Sequence, residues 1–79
     1  MLVLKLLEIN SDMVIYEYYP ENNKEHPGKI ALNLKTKERI FLEDSKEDFG
    51  RRYAAHGLKR IEEYDLNGNF EEEGLVAWY

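Results

Sequence analysis

Two short segments near the start of the chain, separated by a turn cluster, restrict the fold most strongly. Leu2 to Ile9 reads LVLKLLEI and Met13 to Tyr19 reads MVIYEYY, and the side chains of each alternate between two faces. The second segment is rich in the β-branched and aromatic residues that favour strands. Asn10-Ser11-Asp12 between them favours a turn. The pattern predicts a β-hairpin, and its first strand is apolar on both faces and therefore interior.

A second hairpin is predicted after a polar loop. The loop, Pro20 to Gly28, reads PENNKEHPG and ends in a proline-glycine turn signal. Lys29 to Leu34 then alternates apolar and polar residues, and Arg39 to Glu43 reads RIFLE. The connection of four residues between them suits an antiparallel hairpin.

One amphipathic helix is predicted over residues 46–66. Ser45 and Asp48 are spaced like a capping box, and Gly68 is placed for a left-handed cap. A central glycine, Gly57, costs about 1 kcal/mol of helix propensity, which indicates close approach to a sheet. The alternative is a break near His56 followed by a strand; a continuous helix is favoured. The apolar arc contains Phe49, Tyr53, Ala54, Gly57, Leu58, Ile61 and Tyr64.

The chain ends in GLVAWY, which predicts a strand over Gly74 to Tyr79 with Trp78 packed near the helix. The order ββββαβ predicts an α+β fold. We expect an antiparallel sheet of four to five strands with one helix packed across one face, formed by residues 1–79 as a single compact domain. A dimer that extends the sheet through the last strand is the alternative use of this segment.

Composition excludes several kinds of site. The chain has no cysteine and two histidines, so disulfides, thiolate zinc sites and histidine-rich metal sites are excluded, and no metal or cofactor is expected. The net charge of -5 disfavours nucleic-acid binding. The opening MLVLKLL is too short to span a bilayer and lacks the features of a signal peptide. The sequence therefore predicts a soluble, cytoplasmic protein without membrane contact.

Tyrosines form the first candidate surface. Tyr16, Tyr18 and Tyr19 are close to the loop that carries His26, and tyrosine suits protein-binding surfaces. The alternative is that Tyr16 and Tyr18, which share a strand face, pack across the sheet.

Charged residues on the helix form the second candidate. Spacing predicts the ion pairs Glu47–Arg51, Asp48–Arg52 and Lys59–Glu63, which would leave a nearly neutral, solvated face. His56 lies at the edge of the apolar arc without a nearby nucleophile. Clustered carboxylates, including Glu71 to Glu73, do not have the spacing of a calcium-binding loop.

These features favour a small non-enzymatic protein-interaction domain that acts through an aromatic sheet surface or a C-terminal edge strand. One rival is an enzyme or small-ligand protein with a site between the helix and the loop of residues 20–28. Another is an acidic protein that imitates nucleic acid. The candidate binding residues are Tyr16, Tyr18, Tyr19, His26, Arg52, His56, Trp78 and Tyr79.

Overall fold

The structure, a computed structural model, describes residues 1–77. Within them, five strands form one antiparallel sheet in the order β4-β3-β2-β1-β5. A 3₁₀ turn, Phe49–Arg51, precedes the long helix. The predicted α+β fold, with strand order ββββαβ in sequence, is confirmed. The elements are β1 (Leu2–Ile9), β2 (Met13–Pro20), β3 (Gly28–Asn33), β4 (Arg39–Glu43), α1 (Arg52–Asn67) and β5 (Glu73–Val76).

Helix α1 packs against one face of the sheet, and the core lies between them. Gly57 is at the closest point: a Cβ there would stand 2.9 Å from Ile30 Cδ1 and 3.2 Å from Leu4 Cδ2. The helix runs through Gly57 without a break, so the predicted close approach and the continuous helix are both confirmed. The buried cluster joins Leu2, Leu4, Val14, Tyr16, Tyr18, Ile30 and Leu32 to Ala54, Leu58, Ile61, Tyr64 and Val76.

The start of the helix differs from the prediction. Helix α1 begins at Arg52 rather than just after Ser45, because Gly50 (φ 71°) and Arg51 (φ 59°) adopt the left-handed conformation and interrupt any earlier helix. Phe49, predicted to lie on the apolar face, is 82% exposed. The predicted end is confirmed, since Gly68 forms a left-handed cap at φ 73°.

Strand pairing explains where the simple alternation fails. β1 lies between β2 and β5, which confirms that the first segment is an interior strand. Leu6 pairs with Tyr16 and Glu8 pairs with Ile15, so Leu7 is an extra residue in β1. This β-bulge reverses the alternation beyond Leu7.

Candidate functional site

The predicted tyrosine surface divides between two faces of the sheet. Tyr16 and Tyr18 point towards α1 and are fully buried. The Tyr16 hydroxyl donates to the backbone carbonyl of Glu71 at 2.6 Å. The Tyr18 hydroxyl accepts from the Ser45 backbone amide at 3.1 Å and donates to Asp48 Oδ2 at 3.3 Å. Packing across the sheet therefore accounts for these two rings, and they present no surface to a partner.

Burial of these hydroxyls predicts a loss of stability at alkaline pH. Burial raises the pKa of Tyr18 to about 12 and raises the pKa of Tyr16 still further. The stability that each protonated tyrosine contributes is fully present below the pKa of tyrosine in the unfolded chain, about 10. It is lost as the pH rises towards the higher pKa of the folded protein. We expect the free energy of unfolding, measured by urea titration, to fall above pH 10. Each tyrosine should contribute up to about 1.4 kcal/mol per pH unit to this fall. Tyr18→Phe should make the free energy of unfolding fall less steeply with pH. An unchanged slope would show that the Tyr18 hydroxyl does not cause this loss of stability.

Among the predicted binding tyrosines within residues 1–77, Tyr19 alone lies on the opposite face of the sheet. Its ring is 8% exposed, and its hydroxyl donates to Glu17 on the same strand. Burial, followed by this hydrogen bond, raises the pKa of Tyr19 to about 12. Trp78 and Tyr79, which were also predicted to bind, lie outside the described residues.

The two histidines line separate depressions. His26 lines one of about 390 Å³ with Pro27 and Lys46, among others. His56 lines another, of about 430 Å³, on the exposed side of α1. A site between the helix and the loop of residues 20–28 that used both histidines would need them in one depression, and these two depressions do not supply one.

Direct hydrogen bonds join the loop of residues 20–28 to the region where the helix starts. Tyr53 donates its hydroxyl hydrogen to Glu21 Oε2 at 2.8 Å. Asn23 Nδ2 donates to Glu47 Oε1 at 2.5 Å. Side chains of the protein itself therefore fill part of the space where the rival hypothesis places a ligand. Among residues 1–77, no three histidine or carboxylate side chains are grouped to hold a metal ion.

Two of the predicted ion pairs on the helix are replaced by other contacts. Arg51 binds Asp44, with Nε 3.1 Å from Oδ1, instead of Glu47. Asp48 is buried and accepts hydrogen bonds from backbone amides at the start of α1 instead of pairing with Arg52. The prediction assumed one helix from Ser45 onwards, and the left-handed turn at Gly50 removes that spacing.

The third predicted pair is also wrong. Glu63 accepts from Arg60 Nε at 3.2 Å and not from Lys59. As a result, neither Arg52 nor Lys59 has a carboxylate within ion-pair distance among residues 1–77. Both side chains are exposed. The helix face is therefore less neutral than its sequence indicated.

The sheet face opposite α1 carries two apolar rows. Ile15 pairs with Ala31, which pairs with Ile40. Val3 pairs with Tyr19 on one side and with Leu75 on the other. Because successive strand residues point to opposite faces, both rows point away from the helix-facing core. We call this surface the open face, since no helix of residues 1–77 packs on it.

A row of alternating charges crosses the open face between the two apolar rows. Strand pairing places its members side by side across five strands, in the order Glu73, Lys5, Glu17, Lys29, Glu43. Opposite charges on neighbouring strands each stabilise a sheet by about 0.2–1 kcal/mol. The register gives the open face an alternating pattern of charge, although no two members of the row lie within ion-pair distance of each other.

The edge of the sheet at β5 is partly covered. Its outer side would offer backbone groups to a pairing strand, as the sequence indicated. However, Arg60 Nη1 donates to the Leu75 carbonyl at 3.1 Å. A second strand would have to displace this guanidinium. At the other edge, a register shift between Lys29 and Ile30 interrupts the pairing of β4 with β3.

Comparison with protein-family models, curated proteins and solved structures found no match for the chain. Within residues 1–77, no helix combines the length and the apolar composition that crossing a bilayer requires. Sequence reasoning missed the residues of the open face, including Val3, Ile15 and Ile40. Alternation could have placed them on one face, but only the strand register brings them into rows.

Proposed function

We propose that this protein is a non-enzymatic protein-interaction domain and that it binds another protein through the open face of its sheet. The observation that carries this proposal is the pair of apolar rows on the sheet face on which no helix of residues 1–77 packs; Ala31 and Tyr19 in these rows are buried, and the other members are at least partly exposed. Leu75 is 59% exposed, and Val3, Ile15 and Ile40 are partly exposed. Exposed apolar groups bordered by charges are typical of protein-binding surfaces.

The size of the face fits a modest interface. The molecule measures 30 × 20 × 20 Å. A partner that covered a whole side of 30 × 20 Å, on the order of 600 Å², would bury on the order of 1,200 Å² from both proteins, the lower end for specific complexes. The matching partner presents apolar groups on both sides of a band of charge that alternates in the opposite order.

The open face is favoured over the other surfaces. Arg60 covers a carbonyl at the β5 edge, so edge pairing needs an extra rearrangement. Tyr16 and Tyr18 are in the core, which limits an aromatic surface to Tyr19 among the three predicted tyrosines. The carboxylates of the open face alternate with lysines, which argues against a continuous acidic surface that imitates nucleic acid.

Capture from an extract of the source organism tests the proposal. Ile15→Lys places a cation beside Glu8, its cross-strand neighbour, and near Glu17, so the fold should tolerate it. Leu66→Lys is the matched control, because Leu66 is an 86% exposed apolar residue on α1. We expect the wild type and Leu66→Lys to capture the same protein, and Ile15→Lys to reduce that capture about tenfold, or 1.4 kcal/mol.

Folding of each variant is checked by circular dichroism and by urea unfolding. Equal capture by the wild type and both variants would show that the open face is not the binding surface. Loss of capture with Leu66→Lys alone would place the interface on the helix. Turnover of a small molecule at a site containing His26 or His56 would support the rival hypothesis instead.

A further inference from the structure

A depression beside α1 has an exclusively basic set of charged side chains. Its volume is about 430 Å³. Gly50 and Ala55 are the lining residues without a basic side chain. The chain carries a net charge of -5, so a lining without a carboxylate runs against the overall charge of the protein. The lining residues are Arg39, Gly50, Arg51, Arg52, Ala55, His56 and Lys59.

Two of these cations are already engaged. Arg39 binds both oxygens of Glu62, at 3.0 and 2.7 Å. These hydrogen bonds hold the pKa of Glu62 below its ordinary value. Arg51 binds Asp44, and its guanidinium carbon lies 4.5 Å from the ring centroid of Phe41. Both side chains are therefore held in place at the side of the depression.

Three basic residues of the lining form a stripe along the helix. Arg52, His56 and Lys59 are spaced four and three residues apart, so they share one helix face. At 1.5 Å per residue, Arg52 and Lys59 are separated by roughly 10 Å along the axis. Arg52 and Lys59 have no ion-pair partner among residues 1–77. Their positive charge is therefore available to a bound anion.

We propose that this basic depression binds an acidic peptide segment of a partner protein. In an extended peptide, alternate side chains point the same way and are about 6.8 Å apart, so two carboxylates can reach Arg52 and Lys59. Phe49, which is 82% exposed, immediately precedes Gly50 of the lining in sequence but does not line the depression itself. The acidic remainder of the protein repels a long polyanion such as nucleic acid. This contact is independent of the open face.

A pair of variants with equal net charge tests the proposal. The first combines Arg52→Gln with Lys59→Gln and removes both available cations of the depression. The control combines Lys24→Gln with Lys46→Gln, which removes two other exposed cations outside it. The probe is a fluorescent peptide in which glutamate alternates with serine, and the reference peptide replaces each glutamate by glutamine.

We expect the glutamate peptide to bind the wild type, with an affinity that falls as salt is added. The variant in the depression should weaken binding by at least about tenfold, and the control by less than about twofold. Equal weakening by both variants would show attraction by overall charge and would overturn the proposal. Binding of the glutamine peptide with the same affinity would also overturn it.

Two further ligands separate the peptide from other anions. Pyrophosphate and a single-stranded DNA oligonucleotide are titrated under the same conditions. Tighter binding of either ligand than of the glutamate peptide would overturn the proposal and assign the depression to phosphate. Absence of glutamate-peptide binding up to millimolar concentration would also overturn it. Weaker binding of both phosphate ligands, with the glutamate peptide still sensitive to the Arg52 and Lys59 substitutions, is the expected result.

Discussion

Asp48→Ala should lower the free energy of unfolding by about 3 kcal/mol, because a buried carboxylate that joins the helix to the sheet is lost. Asp48 is 8% exposed. Its Oδ1 accepts from the Tyr53 amide at 2.9 Å, and its Oδ2 accepts from the Ala54 amide at 2.9 Å. Oδ2 also accepts from the Tyr18 hydroxyl at 3.3 Å. Truncation leaves these three donors without the carboxylate.

Thermal and urea unfolding measure this effect. In a domain of this size a loss of about 3 kcal/mol corresponds to a fall in Tm of roughly 12–24 °C. Asp48→Asn keeps one acceptor oxygen and should lose about half as much. Asp44→Ala is the control: it removes an exposed ion pair to Arg51 and should cost less than about 1 kcal/mol. Equal effects of Asp48→Ala and Asp44→Ala would contradict this account of the helix start.

Gly28→Ala should also destabilise the protein by about 3 kcal/mol, although it adds a single methyl group. A Cβ at Gly28 would lie 2.3 Å from both Cε1 and Cζ of Tyr18, its cross-strand partner. The Tyr18 ring is fully buried, and its hydroxyl is held by Ser45 and Asp48. The ring therefore cannot move aside without losing these hydrogen bonds.

Gly57→Ala is the matched control for this substitution. Its new methyl group would meet the end of the Ile30 side chain at 2.9 Å, and a side-chain end adjusts more easily than a buried ring. The gain of about 1 kcal/mol in helix propensity offsets part of the cost. Combining Gly28→Ala with Tyr18→Leu should cost less than the sum of the two single changes. Additive effects in that cycle would show that the methyl group and the ring do not collide.

The strands could be predicted from sequence because their pattern is local. Alternation and turn residues placed β1 and β4 with the bounds that the structure has, and placed β2 and β3 within one residue at each end. The bulge at Leu7 was not predictable in the same way, because it depends on pairing with β2. The rows of the open face also depend on the register, which no single segment encodes.

The start of the helix was mispredicted because tertiary contacts decide it. Ser45 has the residue type of a helix cap, yet it is buried and its hydroxyl donates to the His26 carbonyl at 2.5 Å. The left-handed turn at Gly50 and Arg51 then allows Asp48 to reach the helix amides. The predicted pairs Glu47–Arg51 and Asp48–Arg52 failed for the same reason, since their spacing assumed a helix through this turn.

The candidate site was only partly predictable. Sequence alternation placed Tyr16 and Tyr18 on one strand face, but it could not show that this face lies under the helix. Among the predicted binding residues, Arg52 and His56 do line one depression, and Lys59 completes their stripe. The lining joins Arg39 of β4 to residues between Gly50 and Lys59, which are distant in sequence, so the sequence did not reveal it.

Site-specific photo-crosslinking tests binding through the open face most directly. One version of the protein carries a photoreactive phenylalanine in place of Ile40, on the open face, and a second carries it in place of Leu66, on α1. Both are illuminated in extract of the source organism, with unlabelled wild type as competitor. We predict one discrete adduct from the Ile40 position that the competitor removes, and none in common with the Leu66 position. No adduct from Ile40, or the same adducts from both positions, would contradict the proposed interaction surface.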